Sequence, residues 1–290
     1  PATLASNTVR DAAGTHRDAS LALAGTGAAA LEPNTPAALG ANSTRSIRLH
    51  ESGANGARLT RIVTPANLSL TNGSWTFATW FKRATRTNDD FILYLGSGDG
   101  FSGGVDELQL YLPANSDALR LLHYTAANSN DVSLASAATA TMNLWHHAAL
   151  SFQKTADNTC TVRLYLNGAL AGSASNVSWA LRQDLPLVLG GHASTGASVV
   201  NRYFNGWLDD AALFRGALSS EEIASLASQS VATFGGMSVT GIVLLNVTAP
   251  PPLVPVTLIG RGAIWKYFDQ TNDLGTAWRE TAFNDTSWPS

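Results

Sequence analysis

The chain has 290 residues, a net charge of −3 at pH 7, and only 13% Asp, Glu, Lys and Arg. This sparse, slightly acidic charge offers no basic surface that could gather phosphate groups, which argues against a nucleic-acid partner. No segment reaches the roughly 18 to 20 apolar residues that a membrane-spanning helix needs. The single cysteine, Cys160, excludes a disulfide within the chain.

The N-terminal segment and the central segment differ in their patterns. Residues 1–45 are rich in Ala, Ser, Thr and Asn, a loop-like composition that predicts only short strands there. From residue 47 to about residue 214, short apolar or alternating runs are separated by turn residues, which is typical of a β-sandwich or jelly roll. The predicted strands are 75–81, 91–95, 107–112, 119–124, 145–152, 161–166, 185–189 and 203–214.

The clearest hairpin signal lies at residues 162–168, which read VRLYLNG. Apolar side chains alternate with Arg163 and Tyr165, the period of two that is expected when one face of a strand is buried. Asn167 and Gly168 follow directly, and this pair readily adopts the positive φ angles of a type I′ turn. We therefore predict a hairpin whose return strand begins at Ala169.

One helix is predicted after the last of these strands. Ser219 is a candidate N-cap, and Glu221 and Glu222 place acids in the first turn. Ile223 and Leu226 then supply an apolar stripe. We expect this short helix to pack against a sheet edge.

Four blocks of the sequence, in this order, resemble the successive signatures of laminin G-like jelly-roll domains of the concanavalin A-like type. They are SWTFATWFK at 74–82, LWHHAAL at 144–150, VRLYLNG at 162–168 and FNGWLDDAALFRGALSSEEI at 204–223. The resemblance spans about residues 9 to 230 and implies an all-β fold, a two-sheet antiparallel sandwich with one short C-terminal helix. It also places the first strand of the family upstream of Pro1, so we expect the domain at 1–235 to lack an edge strand.

The C-terminal residues resemble the opening of a second module. IWKYF at 264–268, Trp278 and FNDTSW at 283–288 are similar to the start of galactose-binding-like modules of large bacterial surface and secreted proteins. We therefore predict a truncated second β module at 263–290, joined by a Pro-rich, semi-rigid linker at 236–262. This arrangement implies a multidomain chain that is secreted or displayed on a cell surface, with neighbouring domains as partners.

The residues show no catalytic pattern. A glycoside hydrolase would need two carboxylates about 5 to 10 Å apart, and no alternating run of acids is present. Asp106 and Glu107 are adjacent, so on a strand their side chains point to opposite faces. His146 and His147 fail as a metal pair for the same reason, and we expect one at the surface and one hydrogen-bonded inside. The sequence therefore predicts a protein that is not an enzyme.

Asp209 is the polar residue that most needs an explanation. With a period of two it shares a strand face with Ala211 and Leu213, which would turn a carboxylate towards the core. The resemblance implies that this acid is tied to a structural or ligand-bridging calcium ion beside the N-terminal turn, with Asp11 and Asp18 as further ligands. Oxygen ligands from distant loops suit Ca²⁺. The alternative is that Asp209 caps backbone amides of that turn.

Most of the tryptophans are predicted to lie in the core, which leaves the variable loops as the expected place for a ligand. The candidate ligand-binding residues are Asp99, Asp106, Asn130, Asp131, Arg202 and Tyr203. The favoured function is a binding module that adheres to a glycan or an extracellular protein. A purely structural spacer is the alternative, and part of a glycoside hydrolase or another secreted enzyme is the less favoured third.

Overall fold

A computed structural model of the chain describes thirteen segments, and all of them lie in the first of two compact units, Pro1–Ala249 and Pro250–Ser290. The described residues are 2–3, 8–9, 19–24, 29–49, 59–63, 73–86, 89–96, 107–124, 132–156, 159–178, 187–191, 202–234 and 242–243. The predicted module at 263–290 lies outside them. Its identity and the predicted domain and linker boundaries therefore stay predictions.

The described residues form seventeen strands and one α-helix, α1, at Ser220–Leu226, with short 3₁₀ segments at Ala37–Asn42 and Val231–Thr233. The strands are β1 Ala2–Thr3, β2 Thr8–Val9, β3 Ala19–Ala24, β4 Ala30–Glu32, β5 Ser46–Leu49, β6 Leu59–Val63, β7 Trp75–Arg83, β8 Asp90–Leu95, β9 Glu107–Leu112, β10 Ala118–Tyr124, β11 Val132–Thr139, β12 His146–Ala156, β13 Thr159–Leu166, β14 Ala169–Ser178, β15 Leu187–Leu189, β16 Gly206–Arg215 and β17 Ile242–Val243.

Two antiparallel sheets pack face to face. The first sheet has the order β1-β4-β5-β16-β7-β12-β13-β14, and the second has the order β11-β10-β9-β8-β15-β6-β3-β2. The last strand, β17, pairs with β16 through Ala212 and Leu213, beyond the stretch where β16 pairs with β5. It falls within the range predicted as linker. The predicted all-β sandwich with one short helix is confirmed.

The core lies between the two sheets and is built from alternate side chains of each strand. Phe77 and Leu150 from the first sheet and Leu93 and Leu110 from the second are fully buried in one apolar cluster. Each such side chain contributes about 1.5 to 3 kcal/mol by leaving water. The sandwich is therefore held together chiefly by this shared interior, because the one cysteine, Cys160, is free.

The predicted hairpin is confirmed. β13 and β14 pair in antiparallel register, and Asn167 and Gly168 between them have φ angles of 54° and 79°. Positive φ at both positions is the signature of a type I′ turn. A Cβ atom at Gly168 would also lie 3.0 Å from the Cα atom of Ala224, so helix α1 packs directly on this turn.

Helix α1 forms as predicted. The Ser219 hydroxyl accepts a hydrogen bond from the Glu222 amide, and the Glu222 side chain accepts one from the Ser219 amide, which completes a capping box. Its buried residues Ile223 and Leu226 contact Tyr165 and small residues on the outer face of the first sheet. Helix α1 also contacts β14, the last strand of the first sheet, as expected for packing near a sheet edge. Alanines on three strands leave room for it to extend over the outer face.

A buried ion pair connects the two sheets. Arg83 at the end of β7 and Asp90 at the start of β8 form a charge-assisted hydrogen bond, and their side chains are 0% and 1% exposed. Arg83 also donates to the carbonyls of Ser116 and Pro113, both at 2.9 Å. Asp90 accepts a further bond of 3.0 Å from the Asn205 amide. Both buried charged groups therefore have hydrogen-bond partners within the protein that replace the water they would otherwise bind.

Among the described strands, β14 is the last in the first sheet and forms one of its edges. Its pairing with β13 contains two register shifts, one between Cys160 and Val162 and one between Leu164 and Tyr165. Such irregularities bend and twist a strand.

Among the residues that the structure describes, no helix is long and apolar enough to cross a membrane.

Candidate functional site

The outer face of the first sheet carries a cluster of aromatic and charged side chains close to the start of β12. In the strand register, Trp207 on β16 lies opposite Arg48 on β5 and opposite Lys82 on β7. Paired residues point to the same face of a sheet, so these three side chains form one row. We call this cluster the platform, and it consists of Glu32, Asn34, Arg48, Lys82, Trp145 and Trp207.

The indole of Trp207 is held in one orientation by three neighbours. The Arg48 guanidinium carbon lies 4.2 Å from the ring centroid, and the Lys82 Nζ atom lies 5.1 Å from it. The indole N–H donates a 2.7 Å hydrogen bond to Glu32 Oε2. Each cation–π contact is worth about 0.5 to 2 kcal/mol, depending on how far it is desolvated. Trp207 is thus half-buried and fixed rather than freely rotating.

Arg48 brings a positive charge into a nearly dry environment. It is 7% exposed and donates to the Gly206 carbonyl at 3.0 Å and to Asn205 Oδ1 at 2.8 Å. Burial lowers the pKa of the Arg48 guanidinium, and the Glu32 carboxylate acts in the opposite direction. The side chain still stays charged at neutral pH because an arginine does not deprotonate in proteins.

Trp145 provides the exposed part of the platform. It is half-buried, and its indole N–H donates to Asn34 Oδ1 at 3.3 Å. Lys82 Nζ donates to the same oxygen, also at 3.3 Å. The neighbouring Leu144 is 56% exposed. An anchored indole beside an ammonium and an amide group can hold a ligand that has an apolar face and polar edges.

The predicted residue Asp209 is completely buried, and its carboxylate has two hydrogen-bond donors among the described residues. Its Oδ2 atom accepts a 2.8 Å bond from the Ser43 hydroxyl, and its Oδ1 atom accepts one of 2.8 Å from the Asp210 amide. Burial raises the pKa of Asp209 to about 7, and the hydrogen bond from Ser43 acts in the opposite direction by lowering this pKa. Both interpretations of the sequence, a calcium ligand and a cap for backbone amides, placed Asp209 beside the N-terminal turn. The two donors, Ser43 and Asp210, do not belong to that turn.

A β-bulge explains why the simple period of two fails here. The register between β16 and β7 shifts between Asp209 and Ala212, and Asp210 has a φ of 47°. Asp209 pairs with Trp80, which places it on the outer face, whereas Ala211 joins the shared core. The expectation that the Asp209 carboxylate shares a face with Ala211 and points into the core is therefore wrong.

Sequence reasoning did not single out Asp210, although it is as buried as its neighbour. Its carboxylate accepts a 2.7 Å bond from the Val231 amide and a 3.1 Å bond from the Ser230 hydroxyl. Burial raises the pKa of Asp210 to about 6. The two adjacent acids thus fasten two separate segments to β16, the one before β5 and the one after α1.

The structure leaves most of the other predicted ligand residues untested. Arg202 is half-buried, and Tyr203 is only 1% exposed. The Tyr203 ring packs as part of the interior. A ligand at the surface could therefore not contact this ring without a rearrangement. The predicted residues outside the described ranges are Asp11, Asp18, Asp99, Asp106, Asn130 and Asp131.

The expectation that one of the two adjacent histidines is exposed is wrong. His146 is 7% exposed and His147 is 2% exposed. His146 contacts the Thr141 carbonyl and the Asn167 amide through its two ring nitrogens. Burial lowers the pKa of His147 to about 3, so this imidazole is neutral. The tryptophans follow the prediction in part, because Trp75 and Trp80 are buried while Trp145 is not.

The family follows from a sequence comparison. The Laminin G 3 family model, described as the concanavalin A-like lectin/glucanases superfamily, matches residues 55–224. The chain belongs to this superfamily. The match covers the laminin G-like domain from before β6 into α1 and includes Lys82, Trp145 and Trp207 of the platform. A search of curated protein sequences gave no significant match.

Solved structures share the fold of this laminin G-like domain. One is domain 4 of AbnA, a GH43 extracellular arabinanase from Geobacillus stearothermophilus, in complex with arabinotriose, with a TM-score of 0.55, 17% identity, and coverage of 76% of this chain and 93% of that one. Another is a SAP-like pentraxin from Limulus polyphemus, with a TM-score of 0.41, 16% identity, and coverage of 62% and 89%. At 17% identity the likeness to domain 4 of AbnA concerns the fold alone, and the weaker likeness to the pentraxin carries no argument.

Proposed function

We propose that the chain is a non-catalytic module that binds a glycan through the platform, within a larger secreted or cell-surface protein. The observation that carries this proposal is the half-exposed indole of Trp145, anchored through Asn34 beside Lys82 and Trp207. A sugar ring presents C–H groups on its faces and hydroxyl groups around its rim. An oriented indole with a cation, an amide and a carboxylate nearby complements both.

The fold family supports a binding role, and the arabinanase domain suggests a first probe. That domain was solved with arabinotriose, so arabinotriose and related neutral oligosaccharides are the ligands to try first. The platform contains one carboxylate, Glu32, which accepts the hydrogen bond of the Trp207 indole. It therefore lacks the pair of acids that hydrolysis of a glycosidic bond uses.

Replacing Trp145 by alanine is expected to weaken saccharide binding by about 2 kcal/mol, or roughly 30-fold in Kd, because a central aromatic contact dominates a small interface. Isothermal titration calorimetry with the best oligosaccharide of a glycan panel measures this change. Asn34→Ala, which removes the acceptor that Trp145 and Lys82 share, should cause a smaller loss.

The matched control is Leu144→Ala. Leu144 is the adjacent residue, is apolar and is 56% exposed, so its removal tests whether any apolar surface on this loop suffices. We expect its Kd to stay within about twofold of the parent chain, since exposed substitutions usually change little. Equal losses in Trp145→Ala and Leu144→Ala would contradict a specific stacking role. A folded parent chain that retains no saccharide would leave the spacer function as the better description.

We further propose that calcium binds beside Asp209 and is completed by Asp11 and Asp18. Within the described segments, no three His, Cys, Asp or Glu side chains cluster closely enough to hold a metal ion. Asp209 can therefore take part in such a site only with ligands from elsewhere. The buried, poorly compensated carboxylates of Asp209 and Asp210 suit the neighbourhood of a cation, because a divalent ion would offset the desolvation of both.

Calcium is expected to raise the melting temperature of the chain relative to EDTA. Binding to the folded state alone stabilises it by about 2.7 kcal/mol when free calcium is 100 times the Kd. Thermal melts in calcium, magnesium and EDTA measure the effect. Identical melts in all three would reject the calcium site and would leave the glycan proposal unaffected.

A further inference from the structure

A candidate site separate from the platform lies on the first sheet, in the corner between β12, β13 and the segment that leads into α1. It is a groove with a volume of about 450 Å³, which falls within the usual range of small-molecule sites. Its main lining residues are Gln153, Arg163, Tyr165, Leu218, Ser220 and Glu222. No residue of the platform lines it, so the two sites are distinct.

The floor of the groove is rigid. Tyr165 is 1% exposed and packs with Leu218 and Ile223 in the cluster beneath α1. Its hydroxyl lies 3.2 Å from the Ser220 hydroxyl. These two hydroxyls are held at the groove by a strand on one side and a capped helix on the other. Leu218, at 4% exposure, packs beneath them and supports the floor of the groove.

The strand side of the groove offers hydrogen-bond donors. Arg163 is half-buried and donates through Nη1 to Gln153 Oε1 at 2.9 Å. This bond orients both planar groups. The Gln153 amide N–H groups and the remaining guanidinium N–H groups of Arg163 bond to nothing else among the residues that the structure describes. They are available to a ligand that offers acceptor oxygens.

The helix side offers an acceptor. Glu222 uses Oε2 to accept the Ser219 amide in the capping box at 2.8 Å. Its other oxygen, Oε1, accepts no bond from the described part of the chain. One guanidinium and one carboxylate together give the groove no net charge. A ligand that both accepts and donates hydrogen bonds fits these groups, and an uncharged ligand meets no net charge there.

We infer that this groove is a second saccharide site, and that it takes a neutral sugar unit. Neighbouring hydroxyls on a sugar accept from the planar Arg163 and Gln153 groups and donate to Glu222 and to the exposed Ser220 hydroxyl. The inference rests on the proposed function, because it assumes that the module binds glycans. Two sites on one outer face allow a branched or repetitive glycan to be bound with avidity.

Backbone amide chemical shifts of the isotope-labelled chain can test the two sites separately. Arabinotriose and a panel of other neutral trisaccharides are titrated into the parent chain and into three variants: Trp145→Ala, Arg163→Gln and Tyr165→Phe. We expect one saccharide to shift amides at Arg163 and Ser220 in the parent chain and in Trp145→Ala. Arg163→Gln should weaken that titration at least tenfold. Tyr165→Phe should weaken it less, because the buried Tyr165 hydroxyl acts only by positioning Ser220. Both variants should leave the amide of Trp145 titrating as before.

Arg215→Gln is the matched control, because Arg215 is an exposed arginine outside the groove, and it should leave both titrations unchanged. Saccharide-induced shifts that are confined to the platform would overturn the groove site and leave the proposed function standing. Groove shifts that Arg163→Gln and Tyr165→Phe do not weaken would overturn the assigned contacts. If no saccharide shifts either region, both the inference and the proposed function are wrong.

Discussion

Replacing Arg83 by methionine is expected to lower the free energy of unfolding by about 3 to 5 kcal/mol, the usual cost of leaving one member of a buried ion pair alone. The Asp90 carboxylate is 1% exposed and would lose its cation without gaining water. The carbonyls of Ser116 and Pro113 would each lose the guanidinium donor, while Pro113 keeps the Ser116 amide as a donor. Urea denaturation, followed by tryptophan fluorescence, measures this loss.

Two further variants separate burial from charge. Arg86 pairs with Asp117 but is 48% exposed, so Arg86→Met should cost no more than about 1 kcal/mol. Adding Asp90→Asn to Arg83→Met removes the stranded charge and keeps an acceptor for the Asn205 amide, so it should recover part of the loss. If Arg83→Met cost no more than Arg86→Met, the ion pair would not be a structural link between the sheets.

Stability in EDTA is expected to fall as the pH rises from about 4 to about 7, because Asp209 is protonated in the folded state over this window and ionised in the unfolded state. The pKa of Asp209 is raised to about 7 from an ordinary value of 3.8, and that of Asp210 is raised to about 6. A raised carboxyl pKa makes the folded state bind more protons than the unfolded state, so increasing pH destabilises it. At about 1.4 kcal/mol per pKa unit, the raised pKa of Asp209 alone corresponds to a loss on the order of 4 kcal/mol.

Asp209→Asn is expected to flatten this pH dependence and to stabilise the chain at pH 8. An asparagine can accept from the Asp210 amide and donate to the Ser43 hydroxyl, so both contacts survive without a buried charge. Glu221→Gln, on the exposed surface of α1, controls for the simple removal of one acid. In calcium the sign should reverse, since the substitution would remove a metal ligand. A pH profile that Asp209→Asn leaves unaltered would contradict the raised pKa.

Local patterns predicted the parts of the fold that depend on neighbours in sequence. The hairpin at Asn167 and Gly168 and the capping box of Ser219 and Glu222 each need only a few consecutive residues. Short apolar or alternating runs located the central strands for the same reason, because such runs also involve only consecutive residues. β11 was missed because its alternation is weak, with mostly small or exposed side chains.

The site could not be predicted in the same way, because it depends on pairing between distant strands. Arg48, Lys82 and Trp207 belong to β5, β7 and β16, which are neighbours in the sheet and not in the chain. Their cation–π row exists only once the register is known. The bulge at Asp210 is equally invisible in a pattern of alternating residues, because one extra residue reverses the facing of everything after it.

The edge strand β14 has a consequence for the behaviour of concentrated solutions. Its ten residues, ALAGSASNVS, include no charge and no proline, and these are the usual guards against a foreign strand adding to an open sheet. The two register shifts in the pairing with β13 bend and twist β14, and this irregular shape protects the edge in place of charge or proline. Substitutions that regularise this pairing should therefore promote self-association without changing the fold of a single molecule.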